Sequence, residues 1–509
     1  MKHFLKWTAL VVSVLILIVI SIVGVFLGWL QWSGERDWKR AEAELRAKGE
    51  KLTFAELVSP MPSLNENFFG DPVWAELSDL LPEKDSSGTA WTPRVPQGQR
   101  QLDRWKTAPL TPEEKARFSK LMPGEESKDL GWAFTALKRG ITGVASPEQK
   151  KEMAALHLDI ISHADPGLSR IAELADRPEA QFPTRFDMVP NAPLPELAQI
   201  LTLSQQFAAK SLSEVILGKT NDAAKDTLTL LRLTFVERNN PLLIAFLVRM
   251  STVSIAVNSV NEGIVRHTWS EADLSGFQVQ LERMKLSESF LTGLKGERAF
   301  CNACGPIFFR EIIYFQSAPN RIPKRLGKAY EGYLASIYVK DKAFHNLWVQ
   351  RQVKSLNAMI PTGWNETSTQ PFFQEFKEIS DHPIKKHIYV FNVLSIPSLL
   401  SSIQKTAECQ TQVNQTRIAC ALERYRIAHG SYPASLDQLM PDYLEKLPHS
   451  PINGKPMNYS LKPDDTFLLW TPSWELKSLG GKPGEYFGEG DIVWGQPLPK
   501  MKRPQEQSP

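Results

Sequence analysis

Few of the features that name a reaction occur in this 509-residue sequence. There is no His-Glu-x-x-His run, no Gly-x-Ser-x-Gly elbow and no dinucleotide-type glycine triplet behind a strand. Nothing therefore points to a zincin, a serine hydrolase or a nucleotide-binding fold. The nearest approach to a phosphate loop, SEVILGKT at 213–220, has Ser213 where the first glycine belongs. Its Val-Ile-Leu centre continues a helical apolar face, which commits the backbone amides a phosphate would need. An excess of one charge is missing too: 59 Lys and Arg face 56 Asp and Glu, a net +3, and the signs are interspersed. No basic stripe is available to neutralise phosphates, so nucleic acid is not the expected partner. No fixed period repeats along the chain, which argues against a solenoid.

Cysteine is scarce, with 4 in the chain. Cys301 and Cys304 sit in FCNACG, and Cys409 and Cys420 lie on an expected helix. One C-x-x-C with neither a second pair nor a histidine partner makes a poor zinc site. Cys409 and Cys420 share a helix face about 16 Å apart, too far to bridge each other. That leaves buried thiols, a disulfide within the Cys301 and Cys304 pair, or one between the two regions. The histidines offer little more. His157 and His163 fall on nearly opposite faces of one helix, and His382 and His387 flank Pro383. Surface or helix-end positions are expected for His157 and His163.

Long apolar runs are absent except at the start, where residues 7–34 run 28 positions without a charge. At about 1.5 Å per residue this exceeds a hydrocarbon core of about 30 Å. Trp7, Trp29 and Trp32 lie near its ends, where indole rings favour the headgroup region. A cleaved signal peptide has a shorter apolar stretch and a small-residue exit. This run leaves through Trp-Leu-Gln-Trp, so residues 1–34 read as an uncleaved transmembrane anchor. Lys2 and Lys6 precede it, while Arg36, Lys39, Arg40, Arg46, Lys48 and Lys51 follow. Counted literally, that bias keeps the body in the cytoplasm, but long domains cross largely regardless of charge. The expectation is a single pass of the cytoplasmic membrane with the large part periplasmic, for a reason carried by the tail.

Behind the anchor, residues 35–110 read as a juxtamembrane helix stopping at Gly49, followed by a Pro-rich connector that Phe68, Phe69 and Trp74 pin to a surface. Residues 111–385 form a helical domain. Thr111-Pro112-Glu113-Glu114 and Ser146-Pro147-Glu148 are helix starts, and apolar residues recur at helical spacing from Leu197 to Ile216. Stacked antiparallel helices, bundle-like, are the economical packing. Within GERAF, Glu297 and Arg298 read as an ion pair fixing helix packing or as a polar site in this domain. Residues 386–403 are an apolar connector, too short to span.

The tail changes period. Ile418, Ala421, Leu422 and Tyr425 form a helical stripe, with Arg417, Glu423, Arg424 and Arg426 largely off it. Gly430 fits the left-handed stop, Tyr432-Pro433 ends the helix, and Ser435 with Gln438 reads as a capping box. Runs at 457–461 and 466–470, then 491–494, read as short strands around a glycine-rich acidic loop. The fold class is mainly α: a transmembrane helix, a helical central domain, and a small α+β module over 404–495 in which a long helix packs on a short antiparallel sheet. Residues 496–509 read as a disordered tail.

ALERYRIAHGSYP, then LP.SP..G.P..Y, then SLGGKPGEYFGEGD closing on DIVW occur in an order that resembles the globular part of type II secretion major pseudopilins. The remainder is similar in layout to uncharacterised bacterial envelope proteins with an N-terminal anchor. The pseudopilin resemblance implies a periplasmic tail. It also implies calcium in the acidic loop, for which Glu475, Glu485, Glu489 and Asp491 are the carboxylates available. The functional expectation is a membrane-anchored, non-enzymatic protein that binds a protein partner. An accessory component of a secretion system is one alternative. The other is an envelope enzyme with a motif-less site in the helical domain, which would be marked by a pocket where two or more ionisable groups converge.

Overall fold

The computed structural model describes residues 2–74, 108–125, 128–164, 167–189, 192–308, 324–486 and 488–496. Much of the Pro-rich connector and nearly all of the terminal tail lie outside them. The chain begins with α1 (Lys2–Ala47), a single helix of 46 residues. No proline interrupts it, and it ends where Gly49 takes φ +73°. The anchor and the juxtamembrane helix are therefore one rod. Its residues 10–26 are exposed, whereas Leu30, Ser33, Ala41 and Leu45 are buried along one stripe.

After the short α2 (Phe54–Leu57) come α3 (Pro112–Leu121), α4 (Leu130–Thr142), α5 (Pro147–Ala164), α6 (Leu168–Leu174), α7 (Pro195–Ile216), α8 (Thr220–Leu233), α9 (Leu243–Val265), α10 (Glu271–Glu282) and α11 (Leu286–Phe308). Then follow α12 (Lys324–Met359), α13 (Glu366–Ser380), α14 (Lys385–Ile388) and α15 (Val390–His429). The helix starts read from sequence form as expected. Thr111 N–H donates to Glu114 Oε2 at 2.7 Å while Glu114 N–H donates to Thr111 Oγ1 at 3.2 Å. Ser146 and Gln149 exchange the same pair of bonds. SEVILGKT is the last turn of α7 and the turn into α8, with Gly218 at φ +73°, so the amides of 213–216 belong to a helix and not to an open loop.

The sheet is antiparallel in the order β1 (Asn458–Leu461), β2 (Phe467–Pro472), β3 (Asp491–Val493). Gly430 closes α15 at φ +81°. The expected capping box does not form: the Ser435 side chain makes no cap bond, and Gln438 Oε1 instead accepts from the N–H of Ala434, the residue before the cap, at 2.8 Å.

Two features differ from the sequence reading. The apolar connector and the module's helix are one element, since α15 runs 40 residues through an exposed Pro397. Its N-terminus has no side-chain cap of its own. Asp341 of α12 supplies one, accepting Phe391 N–H at 2.6 Å and Asn392 N–H at 3.4 Å. The tail also shares its core with the helical body. One apolar cluster runs from Phe207, Phe246 and Phe277 through Val413 and Leu422 to Tyr432, Leu469 and Ile492. The cause lies in α15, where Ile418, Ala419, Cys420, Ala421 and Leu422 are all 0% exposed. A helix buried all round must have neighbours on every side: α9, α10 and α11 on one, the sheet on the other.

Candidate functional site

A cleft of about 390 Å³ opens between three chain segments: residues 58–62, the loop 179–186, and the turn 236–241 between α8 and α9. Local chemistry builds each wall. Pro60 and Pro62 hold the first segment extended. It is stitched to the second by Asn67, whose Nδ2 donates to Gln181 O and whose Oδ1 accepts Gln181 N–H, both at 2.9 Å. Gln181 Nε2 returns a bond to Ser59 O at 3.0 Å. The third wall is the Asn-Asn-Pro break, where Asn240 Oδ1 accepts Leu242 N–H at 3.0 Å and so starts α9.

Glu237 lines this cleft at 4% exposure. Its Oε2 accepts from Asn240 Nδ2 at 2.9 Å, and its Oε1 has no partner. Glu196, at the start of α7, is fully buried with neither oxygen partnered, and lies close enough to Glu237 for the two charges to repel. Burial, then that repulsion, push Glu196 well above the usual carboxylate range. Burial pushes Glu237 up to about 7, against the Asn240 bond. Arg249 is near enough to be felt electrostatically, but its guanidinium is engaged elsewhere, on Thr234 O at 2.6 Å and Ser289 Oγ at 2.7 Å. Glu237 lines the cleft and the fully buried Glu196 does not, and both carboxyls are pushed toward the protonated form, so the pair can donate as well as accept hydrogen bonds and would hold a cationic ligand only by drawing a carboxyl back to its ionised form. This site was missed in the sequence because Glu196 looks like an ordinary first-turn acid and Glu237 like a solvated charge before a turn. The Asn-Asn-Pro break was the one local signal.

The residues singled out in the sequence lie elsewhere. Asp491 is 1% exposed; its Oδ2 accepts Leu479 N–H and Gly481 N–H, each at 2.8 Å, closing the Gly-Gly loop on β3, while Oδ1 is unpartnered. Glu489 Oε2 accepts Tyr486 N–H at 3.3 Å, and Glu475 faces Lys477 at 3.4 Å. Glu485 is exposed on the same loop. Among the described residues no group of three or more His, Cys, Asp or Glu side chains is arranged to hold a metal ion.

Cys301 and Cys304 on α11 and Cys409 and Cys420 on α15 are free, buried thiols. Burial pushes Cys304 up to about 12 and Cys409 up to about 11, which makes them poor nucleophiles. His157 corrects its expectation: it is 1% exposed, with Nδ1 2.8 Å from Ser213 Oγ. A Ser-His contact sealed between α5 and α7 meets no substrate, and burial holds the imidazole down at about 3, neutral. His163, at the end of α5, lies 3.2 Å from Glu114 of α3. Arg298 is fully buried and pairs with Glu50, not with Glu297. Burial raises the partly buried Glu297 to about 7.

Compared with known proteins, the chain matches no family model, no curated protein and no solved structure.

Proposed function

We propose that this chain is a single-span envelope protein that holds a rigid helical body against the cytoplasmic membrane and presents it to a protein partner. In this reading the body lies on the periplasmic side, the protein is not an enzyme, and residues 404–495 are a pseudopilin-like unit. One observation supports it above the others: α1 passes without a break from an exposed apolar surface at 10–26 into the buried contacts of Leu30, Ser33, Ala41 and Leu45. Gly34 packs on α12 so closely that a Cβ there would stand 2.9 Å from Lys340 N. Lys340 Nζ locks the contact by reaching Asp37 at 3.0 Å and Ser33 Oγ at 3.1 Å. A tether would need none of this; a body whose orientation to the bilayer matters would. Of the two described helices apolar and long enough to cross a membrane, the other, Leu243–Val265, has half of its most apolar stretch buried inside the body. The test is fractionation with a carbonate wash, joined to a reporter at the C-terminus. The expected result is a pellet-bound protein with an externally active reporter. Release by carbonate removes the anchor, and a cytoplasmic reporter removes the periplasmic assignment and the secretion analogy.

The Glu196 and Glu237 cleft favours a second reading, an envelope enzyme or small-molecule receptor. A thermal-shift series with simple alkylamines at neutral pH addresses it. Ligand bound only to the folded state raises the midpoint by mass action, so a rise with one amine that Glu237→Gln abolishes supports this reading. No shift with any amine counts against it.

A further inference from the structure

We infer that the body touches the bilayer a second time, through the exposed corner at residues 383–387 between α13 and α15, and that this corner binds anionic lipid headgroups. The inference rests on α1 being a membrane span, because α1 sets the height of everything beside it. The apolar surface of α1 is open over 10–26, and burial starts at Leu27 and Leu30. Whatever packs around Leu30 therefore stands at the edge of the hydrocarbon, where Trp29 and Trp32, both about half exposed, also fall. Those neighbours are Ile337, Tyr338 and Phe391, with Tyr333, Ile388 and Val390 against them.

The corner is fixed at that height. Tyr333 Oη donates to His387 O at 2.7 Å, and Ile388 is a member of the apolar group around Leu30. The turn itself is set by His382, whose Nδ1 accepts Ile384 N–H at 3.1 Å and Lys385 N–H at 3.2 Å. Its outer surface then presents Ile384 at 59% exposure beside Lys385, Lys386 and His387, with Leu394 at 52% exposure just inside α15. No ion pair holds either lysine among the described residues, and residues 382–407 contain no aspartate or glutamate at all. Exposed branched apolar side chains beside unneutralised lysines suit an interface that is apolar below and anionic above. Lys340 lies over the Trp29 ring at 5.5 Å and Arg36 over Trp32 at 5.0 Å, but both share Asp37 as counter-ion, so the charge argument rests on Lys385 and Lys386. A bilayer is the occupant to choose because the anchor brings it to this surface regardless of any partner.

The test uses the full chain in nanodiscs, one set of phosphatidylcholine and one containing phosphatidylglycerol, both with brominated acyl chains. A fluorophore is placed by Ile384→Cys, by Val25→Cys in the exposed anchor surface, or by Val144→Cys in the α4–α5 turn, whose apolar neighbours belong to the Phe118 and Leu137 group and not to the anchor. The four native thiols are buried and stay unlabelled. Quenching is expected at Val25 in both discs, at Ile384 more strongly in the anionic disc, and at Val144 in neither. Lys385→Glu with Lys386→Glu should remove the anionic gain at Ile384 while leaving Val25 unchanged. An unquenched Ile384 probe beside a quenched Val25 probe overturns the second contact and leaves the anchor standing. An unquenched Val25 probe overturns the anchor itself. Equal quenching of Ile384 in both discs overturns the headgroup assignment.

Discussion

Arg298→Met should lower the stability of this protein by roughly 3 to 5 kcal/mol, the cost of breaking a buried charge pair by removing one partner. Arg298 is fully buried on α11. Its Nη2 donates to Glu50 Oε2 at 2.7 Å and to Lys51 O at 2.8 Å, and its Nη1 donates to Gln350 Oε1 at 3.0 Å. One side chain thus joins the segment leaving α1 to α11 and α12. Asn302, one turn along, adds a bond to Leu52 O at 2.9 Å. Methionine fills much of the space but leaves Glu50, 15% exposed, without its cation, and two carbonyl-type acceptors without donors. Burial already pushes Glu50 upward, and the bonds from Arg298 and Gln350 are what hold it below the ordinary carboxylate value. The midpoint of denaturant unfolding in detergent measures the loss. Adding Glu50→Gln to Arg298→Met should return a good part of it, because the second change removes the stranded charge. A single-variant loss of under about 1 kcal/mol would mean that the pair is effectively solvated and the junction is held by apolar contacts. The junction itself has a readout: amide exchange over residues 49–54 should rise in the single variant and not in a distant core variant of equal cost.

The same residue shows where the sequence stopped being readable. Features whose cause lies within four residues were legible: the Thr111 and Glu114 box, the Gly49 and Gly430 stops, the three short strands. Their physics is local, so a window of sequence contains it. Arg298 was visible as a charge among apolar neighbours, yet its partner is 248 positions away, and Glu297 next to it was the natural guess. The single-core architecture was hidden for a related reason. Burial of Glu423 at 1% exposure depends on Arg426, His267 and Tyr432 converging from three elements, so it read as a charge off the apolar stripe. The cleft acids were harder still. A carboxylate that will be buried and one that will be solvated are the same letter, and only the fold decides which becomes a site.

Glu408 turns that distinction into a pH dependence. It is 1% exposed between α15 and the segment after β2. Oε1 accepts from Gln404 Nε2 at 3.1 Å and from Ser473 Oγ at 3.3 Å, and Oε2 has no partner. Burial pushes its pKa up to about 8, against the pull of those two bonds. In the unfolded chain the same group ionises near 4.5. Between these values the unfolded state releases a proton that the folded state keeps, so stability falls as pH rises through the window and levels off above it. At about 1.4 kcal/mol per pH unit as the upper slope, roughly 2 to 4 kcal/mol is lost between pH 5 and 8. Glu237 and Asp341, each raised by burial to about 7, add in the same direction. His157 and His345, lowered by burial to about 3 and about 4, act oppositely, since below pH 6.5 the unfolded chain takes up protons that they refuse. Melting temperature should therefore be higher at mildly acidic pH than at pH 8.5. Glu408→Gln should be close to neutral at pH 5 and stabilising at pH 8.5. Equal destabilisation at both would show that the carboxyl is ionised in the fold and that its two hydrogen bonds dominate. The pH slope of the difference between the two proteins isolates this residue, because every other titrating group is common to both.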